Sequence, residues 1–122
     1  MLVHRLDANR SILYVHPTAA LEKADFARLA KSVDPHIAQR GGLGGLILEF
    51  KTFPGWESLG AMAAHFNFVR EHHRKVKKIA VVTDAKIGDL AERLASHFVA
   101  ATIKHFAEGE VHAAEKWIAE GS

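Results

Sequence analysis

Leu46-Ile-Leu-Glu-Phe50 and Lys78-Ile-Ala-Val-Val-Thr83 decide the fold of this chain. Both stretches are apolar almost without a break, and neither alternates as a half-solvated strand does. Such runs suit strands covered on both faces, the habit of parallel sheets. Between them, Leu59, Met62, Phe66 and Val69 recur at helical spacing. Ala61, Ala64 and Phe68 form a second apolar patch on the other side. A helix apolar on two sides is buried, or covers something besides the core. Beyond the second stretch, Asp84 can cap a helix, whose inner stripe is Ile87, Leu90, Ala91, Leu94 and Phe98. Thr102 to Phe106 reads as a short strand. Val111, Ala114, Trp117 and Ile118 mark a last helix.

Working back toward the N-terminus, Met1 to Leu6 and Ser11 to His16 read as two strands joined by Asp7-Ala8-Asn9-Arg10, which is the pattern of a hairpin. Leu2 to Leu6 is then an edge strand. Phe26, Leu29, Ala30 and Val33 give a helical period. Asp34-Pro35 interrupts it, because the residue before proline avoids the helical region; His36 to Arg40 continues at an angle. Gly41-Gly42-Leu43-Gly44-Gly45 invites a phosphate-loop reading and fails it. A P-loop follows a strand, opens a helix and carries Gly-Lys-Ser/Thr. This run closes a helix and precedes a strand, so it reads as a helix stop and a flexible turn. The resulting order, β-β-α-β-α-β-α-β-α, is that of an α/β fold. It implies a mostly parallel five-stranded sheet, an antiparallel N-terminal edge strand, and helices on the sheet faces. No linker or repeat divides residues 1–122, which read as one domain.

Composition agrees. The chain has 122 residues, 48% of them hydrophobic and 25% charged, ordinary globular usage. It has no cysteine, which excludes a disulfide scaffold, a thiolate metal site and a thiol nucleophile. Lys plus Arg is 16 against 14 for Asp plus Glu, a net charge of +2. No concentrated excess points to a nucleic-acid partner. The one dense basic run, Arg70-Glu71-His72-His73-Arg74-Lys75-Val76-Lys77-Lys78, reads first as a solvated helix end; its rival reading is a phosphate-contacting patch. No stretch approaches the ~20 apolar residues of a membrane span, and no signal peptide is visible. A cytoplasmic location is the expectation.

Chemistry-bearing motifs are few. Nine histidines raise the question of a metal. Ligands on one helix face need i, i+3 or i, i+4 spacing. His65, His72 and His73 do not have it, and His97 and His105 straddle different elements, so no metal and no cofactor is expected. No Gly-x-Ser-x-Gly elbow appears, and no dinucleotide fingerprint. Glu49 reads as a strand-end carboxylate rather than a catalytic one. The positional argument is topological: open α/β sheets bind ligands beyond the C-terminal ends of their strands. That rim carries Lys51 to Trp56 after one strand and Thr83-Asp84 after the next. Phe53 and Trp56 are large apolar groups in a loop. They lid the core, line an apolar pocket, or dock a second subunit. Thr83 and Asp84 offer polar ends.

The opening hairpin, Leu46-Ile-Leu-Glu-Phe50 with its Phe53-Pro-Gly-Trp56 loop, Lys78-Ile-Ala-Val-Val-Thr-Asp84, and the ending from His105-Phe106 through Ala113-Ala114-Glu115-Lys116-Trp117-Ile118 together carry a resemblance. Over nearly its whole length the chain resembles the SpoIIAA-like group of STAS domains, related in fold to the lipid-carrying CRAL-TRIO module. The resemblance implies the fold and a cytoplasmic setting, and no established chemistry. In the anti-sigma-factor antagonist branch, a serine after an acidic residue opens the helix following the central strand and is phosphorylated by a partner kinase. Glu57-Ser58-Leu59-Gly60 lies in the matching region. It departs from that pattern in having glutamate for aspartate and in the inserted Phe53-Pro-Gly-Trp56. The expectation is a non-enzymatic module binding a lipid-like ligand or a protein partner, self-associating as a homodimer. The alternative is a signalling protein switched at Ser58.

Overall fold

The computed structural model describes residues 1–84 and 100–120. Two strands open it, β1 (Leu2–Asp7) and β2 (Ile12–Pro17), paired antiparallel from Leu2↔Pro17 to Asp7↔Ile12. The Asp7 carboxylate accepts from the Asn9 and Arg10 backbone N–H groups, both at 3.1 Å, which closes the turn locally. Then follow α1 (Lys23–Arg40), β3 (Leu43–Glu49), α2 (Leu59–His72), a 3-10 turn (His73–Lys75), β4 (Val76–Val82), β5 (Thr102–Phe106) and α3 (Val111–Ala119). The five strands form one sheet in the order β1-β2-β3-β4-β5. All pairings after the first are parallel. The fold expected from the two apolar runs is thus the fold found. The helix expected over Ile87 to Phe98 lies outside the described residues.

Alternation along the strands sorts the core into two layers. Leu13, Val15, Ile79 and Val81 face one side, with Leu29 and Val33 of α1. Ile12, Ile47, Ala80 and Val82 face the other, with Phe106, Ala114 and Ile118. Crossovers that step one way across a sheet with one hand place their helices on one face. Accordingly α1 and α2 pack together, and α3 covers the opposite side of β3 and β4.

Three local expectations are corrected. Helix α1 does not break at Asp34-Pro35 but runs through it to Arg40. Pro35 removes one helical hydrogen bond, but packing on both sides overrides it: Val33 is buried before it and His36 after it. His36 Nε2 also lies 2.7 Å from Ser11 Oγ in the hairpin turn. The glycine run is only half a turn. Gly41, at φ 80, ends α1 with its N–H on the Ile37 carbonyl at 2.7 Å. Gly44 and Gly45 belong to β3, and at Gly45 α3 presses so closely that a Cβ would lie 2.5 Å from Ile118 Cγ2. Finally, α2 is rotated from the stripe first read. Its buried residues are Ala61 and Val69, while Leu59 is 81% and Phe66 40% exposed. The patch of Ala61, Ala64 and Phe68 is the inner side.

Candidate functional site

Residues 50–58 connect β3 to α2 across the C-terminal rim of the sheet. Their path is fixed by main-chain hydrogen bonds to Leu21, just ahead of α1. The Leu21 N–H donates to the Gly55 carbonyl and the Glu57 N–H to the Leu21 carbonyl, each at 2.8 Å. Gly55 sits at φ 81, a conformation side-chain-bearing residues rarely adopt. This clasp turns Trp56 and Phe53 toward the space between the sheet and the two helices. Trp56 Nε1–H donates to His65 Nδ1 at 3.1 Å. Its ring meets Phe53 edge-on at 5.1 Å and Phe66 at 5.8 Å. His65 in turn stacks on Phe26 of α1 at 4.9 Å. Edge-on and offset arrangements of this kind are the favourable ones for aromatic quadrupoles.

Behind these rings lies a cavity of about 340 Å³, walled by strand side chains such as Leu13, Val15 and Leu46 and by Phe26 and Phe68 of the helices. Its described polar lining is imidazole: His65, and His72 at the far end. His72 stacks on Phe68 at 4.0 Å, and its ring nitrogens lie 2.7 Å from the Phe68 carbonyl and 2.7 Å from Asp34 Oδ1. The entry to α1 is clasped as well. Asp25, buried, accepts from the Glu22 N–H at 2.8 Å and pairs with Arg28. Burial is the largest influence on its carboxyl and pushes it up. The Glu22 and Leu2 backbone N–H groups, the terminal ammonium and Arg28 outweigh it and hold the group below the ordinary carboxylate value.

Of the residues singled out in the sequence, Phe53 and Trp56 both line this cavity. Thr83 is fully buried at the end of β4. Its N–H donates to the Phe106 carbonyl at 3.0 Å, and its own carbonyl accepts from His105 Nε2 at 2.6 Å. Asp84 Oδ1 accepts from the Glu108 N–H at 2.9 Å. Both therefore tie β4 to the end of β5, and neither lines the cavity. Ser58 is the N-cap of α2, its Oγ accepting from the Ala61 N–H at 3.0 Å. Sequence reasoning missed His65, weighed there only as a metal ligand. Its four-residue spacing from Ala61 and three-residue spacing to Phe68 placed it on the inner side of α2 all along.

A second cluster staples α3 to the hairpin on the other side of the sheet. The Tyr14 hydroxyl donates to Glu115. Arg10 Nη2 reaches the Tyr14 oxygen at 2.6 Å and Glu115 Oε2 at 3.1 Å, and Arg5 lies 3.9 Å above the Tyr14 ring. Burial, then the bond to Glu115, pushes the Tyr14 phenol up. The Tyr14 hydroxyl, more than any other neighbour, holds the Glu115 carboxyl down. Among the described residues no three His, Asp or Glu side chains gather as a metal site, and no helix is long and apolar enough to cross a membrane.

No curated protein matches this chain. A crystal structure of an uncharacterized protein of the DUF3478 family from Shewanella loihica PV-4, described as having a SpoIIAA-like fold, superposes with a TM-score of 0.73. It is 17% identical and covers 96% of this chain and 93% of that one, a likeness of fold. A family model described as SpoIIAA-like matches residues 12–119, all but the edge strand β1, its turn and the last three residues. From the second strand to the last helix, then, both the strand order and the sequence match point the same way, and the chain belongs to the SpoIIAA-like family.

Proposed function

We propose that this chain is a non-enzymatic binding module that takes a small apolar or amphipathic molecule into the cavity behind Phe53 and Trp56. The observation that carries the reading is the cavity itself: about 340 Å³, hydrocarbon and aromatic on nearly every side, with imidazole as its polar lining. Small-molecule sites are typically concave, mostly apolar and roughly 300–1,000 Å³. Trp56 supplies ring area at the mouth and Phe53 covers it. Thr83 and Asp84 are taken up by the β4–β5 end and leave the polar role to His65 and His72.

Native mass spectrometry of the purified protein, with a thermal-shift panel of fatty acids and other amphiphiles, tests this. A co-purifying adduct or a saturable rise in Tm is expected, and Trp56→Ala abolishes it. Adduct-free protein with no shift across the panel overturns the reading.

A protein-binding reading rests on a separate observation. Leu59, 81% exposed, and Phe66, 40% exposed at the rim against Trp56, lie seven residues apart on one side of α2, and Phe53 on the other side of Trp56 is likewise 40% exposed. Soluble monomers rarely expose contiguous apolar patches larger than roughly a few hundred Å². A second copy of this chain is the occupant we favour. Sedimentation of parent and Leu59→Glu checks it: a dimer that becomes a monomer is expected, and a monomeric parent removes the idea. Ser58, exposed at the start of the same helix, is where a phosphate would add roughly −1.5 to −2 charge. Intact-mass measurement of protein from its host detects that modification, and its absence there removes the switch.

A further inference from the structure

The dense basic run of the sequence has no part in the cavity reading, and the fold gives it companions. At the N-terminal end of the parallel strands a concave cleft of about 680 Å³ is lined by six cations from five places in the chain. Arg10 comes from the hairpin turn, Arg40 from the end of α1, Arg74 and Lys75 from the 3-10 turn, Lys77 from β4 and Lys116 from α3. The one carboxylate in the described lining is Glu115, already held by Arg10 and Tyr14. Arg10 has Asp7 as well, at 2.7 Å. Among the described residues, none of the other five cations has a carboxylate within 4.0 Å.

Chain-wide charge is nearly balanced, 16 cations to 14 anions, so this is segregation rather than general basicity. Helix ends account for part of it. Arg40 answers the negative end of α1. The α3 end is already answered by Lys78, whose Nζ donates to the Trp117 and Glu120 carbonyls at 2.7 and 2.6 Å. That leaves Lys116 without this task; Arg74 and Lys75 follow the end of α2 within one turn, while Lys77 lies in β4, away from any helix end. The wall between them is main chain. Gly41, Gly42 and Gly44 line the cleft, and Gly42 admits no side chain, since a Cβ there would lie 2.7 Å from the Lys75 carbonyl oxygen. A bare backbone wall lets a ligand approach closely.

We infer that this cleft binds the phosphate group of a small soluble molecule carrying at least two negative charges. Like charges converging on a concave surface focus the field and raise the local concentration of an anion. Guanidinium groups from Arg40 and Arg74 offer bidentate donors to phosphate oxygens, and the lysines add point charges. A nucleic-acid strand fits less well. The described lining holds no aromatic ring on which a base stacks. The inference is independent of the apolar cavity and survives its failure.

The probe is inorganic pyrophosphate, titrated into the full chain by calorimetry and by amide chemical shifts. Saturable binding is expected, with shifts confined to residues 41–44 and 74–77. Arg74→Glu with Lys77→Glu weakens it at least tenfold, whereas Lys31→Glu, which reverses an exposed cation of α1 outside the cleft, leaves it unchanged. If that pair does not fold, Arg40→Gln with Lys116→Gln, both on exposed helix ends, is expected to weaken binding several-fold. Co-sedimentation with phosphatidic-acid vesicles and titration with a single strand of about 20 nucleotides, longer than one cleft can hold, are the competing arms. Binding to vesicles or oligonucleotide but not to pyrophosphate overturns the proposal. So do non-saturable shifts scattered over the surface, or an unchanged affinity in both variant pairs.

Discussion

On the α3 face of the sheet, a methyl group added at Gly45 would lie 2.5 Å from Ile118, while on the α1–α2 face the same strand, through Leu46, helps to wall a cavity of about 340 Å³. One layer is held by fit. The other is held by rings and polar clasps: Trp56 on His65, Leu21 on Gly55 and Glu57, Asp25 on Glu22. Close-packed interiors answer to single methylene groups, whereas a layer with space in it answers to the bonds that frame the space. The contrast teaches on which side of this small sheet the apolar layer keeps room inside it.

The largest effects should come from breaking the fit. Ile118→Ala is expected to destabilise by about 2–5 kcal/mol in urea unfolding, and Gly45→Ala by about 1–3 kcal/mol through overpacking. Combined, they should cost clearly less than the sum, because each relieves the strain or fills the space left by the other. Strict additivity would show that the two do not meet.

Next is the clasp at the entry to α1. Asp25→Asn should cost about 1–2 kcal/mol at neutral pH by losing charged hydrogen bonds. The sign of its pH dependence follows from the depressed native carboxyl. An unfolded aspartate titrates near ~3.9. The native state therefore binds fewer protons, and the stabilisation is complete above that value and lost as pH falls through the lower native one. Urea midpoints of the parent should fall below pH 4 more steeply than those of Asp25→Asn; parallel curves would refute the assignment. A smaller effect, about 1 kcal/mol, is expected for Ser58→Ala, which removes the α2 cap, with Ser58→Asp close to the parent because aspartate caps equally well.

The smallest change sharpens the comparison most. Val15→Ile adds one methylene to the cavity side. It should shift stability by less than about 1 kcal/mol while weakening the amphiphile response, in contrast to the same-sized addition at Gly45. Equal losses at both positions would mean that the two layers are packed alike.

The sheet was legible because its evidence is redundant: two unbroken apolar runs, a hairpin signature and helical stripes between them agree on one order. The misread elements are those where a distant partner decides. Pro35 looked like a break because local sterics say so, and only the packing of Val33 and His36 overrides them. Gly45 looked like turn material because nothing near it in the sequence announces Ile118. On α2 two apolar stripes competed: Ala61 and Phe68 of the second and Val69 of the first turn inward, Phe66 sits at the rim against Trp56, and Leu59 is left in solvent. Phe53 and Trp56 were legible as a site by chemistry, being aromatic in a loop. The basic cleft was legible only in part: Arg74, Lys75 and Lys77 stand in the one dense basic run, whereas Arg10, Arg40 and Lys116 come from segments up to about a hundred residues apart and join them only in the folded chain.

The main-chain link between Leu21 and residues 55–57 bears on timing. A flap hinged only at its own ends opens in the nanosecond-to-microsecond range of ordinary loops. Here the flap is tied to the segment that leads into α1, so moving Trp56 aside breaks both hydrogen bonds together, and on the proposed reading a guest behind it would wait for that event. Residence time would then follow the opening rate of the protein, nearly the same for every guest, however tightly or loosely each one binds.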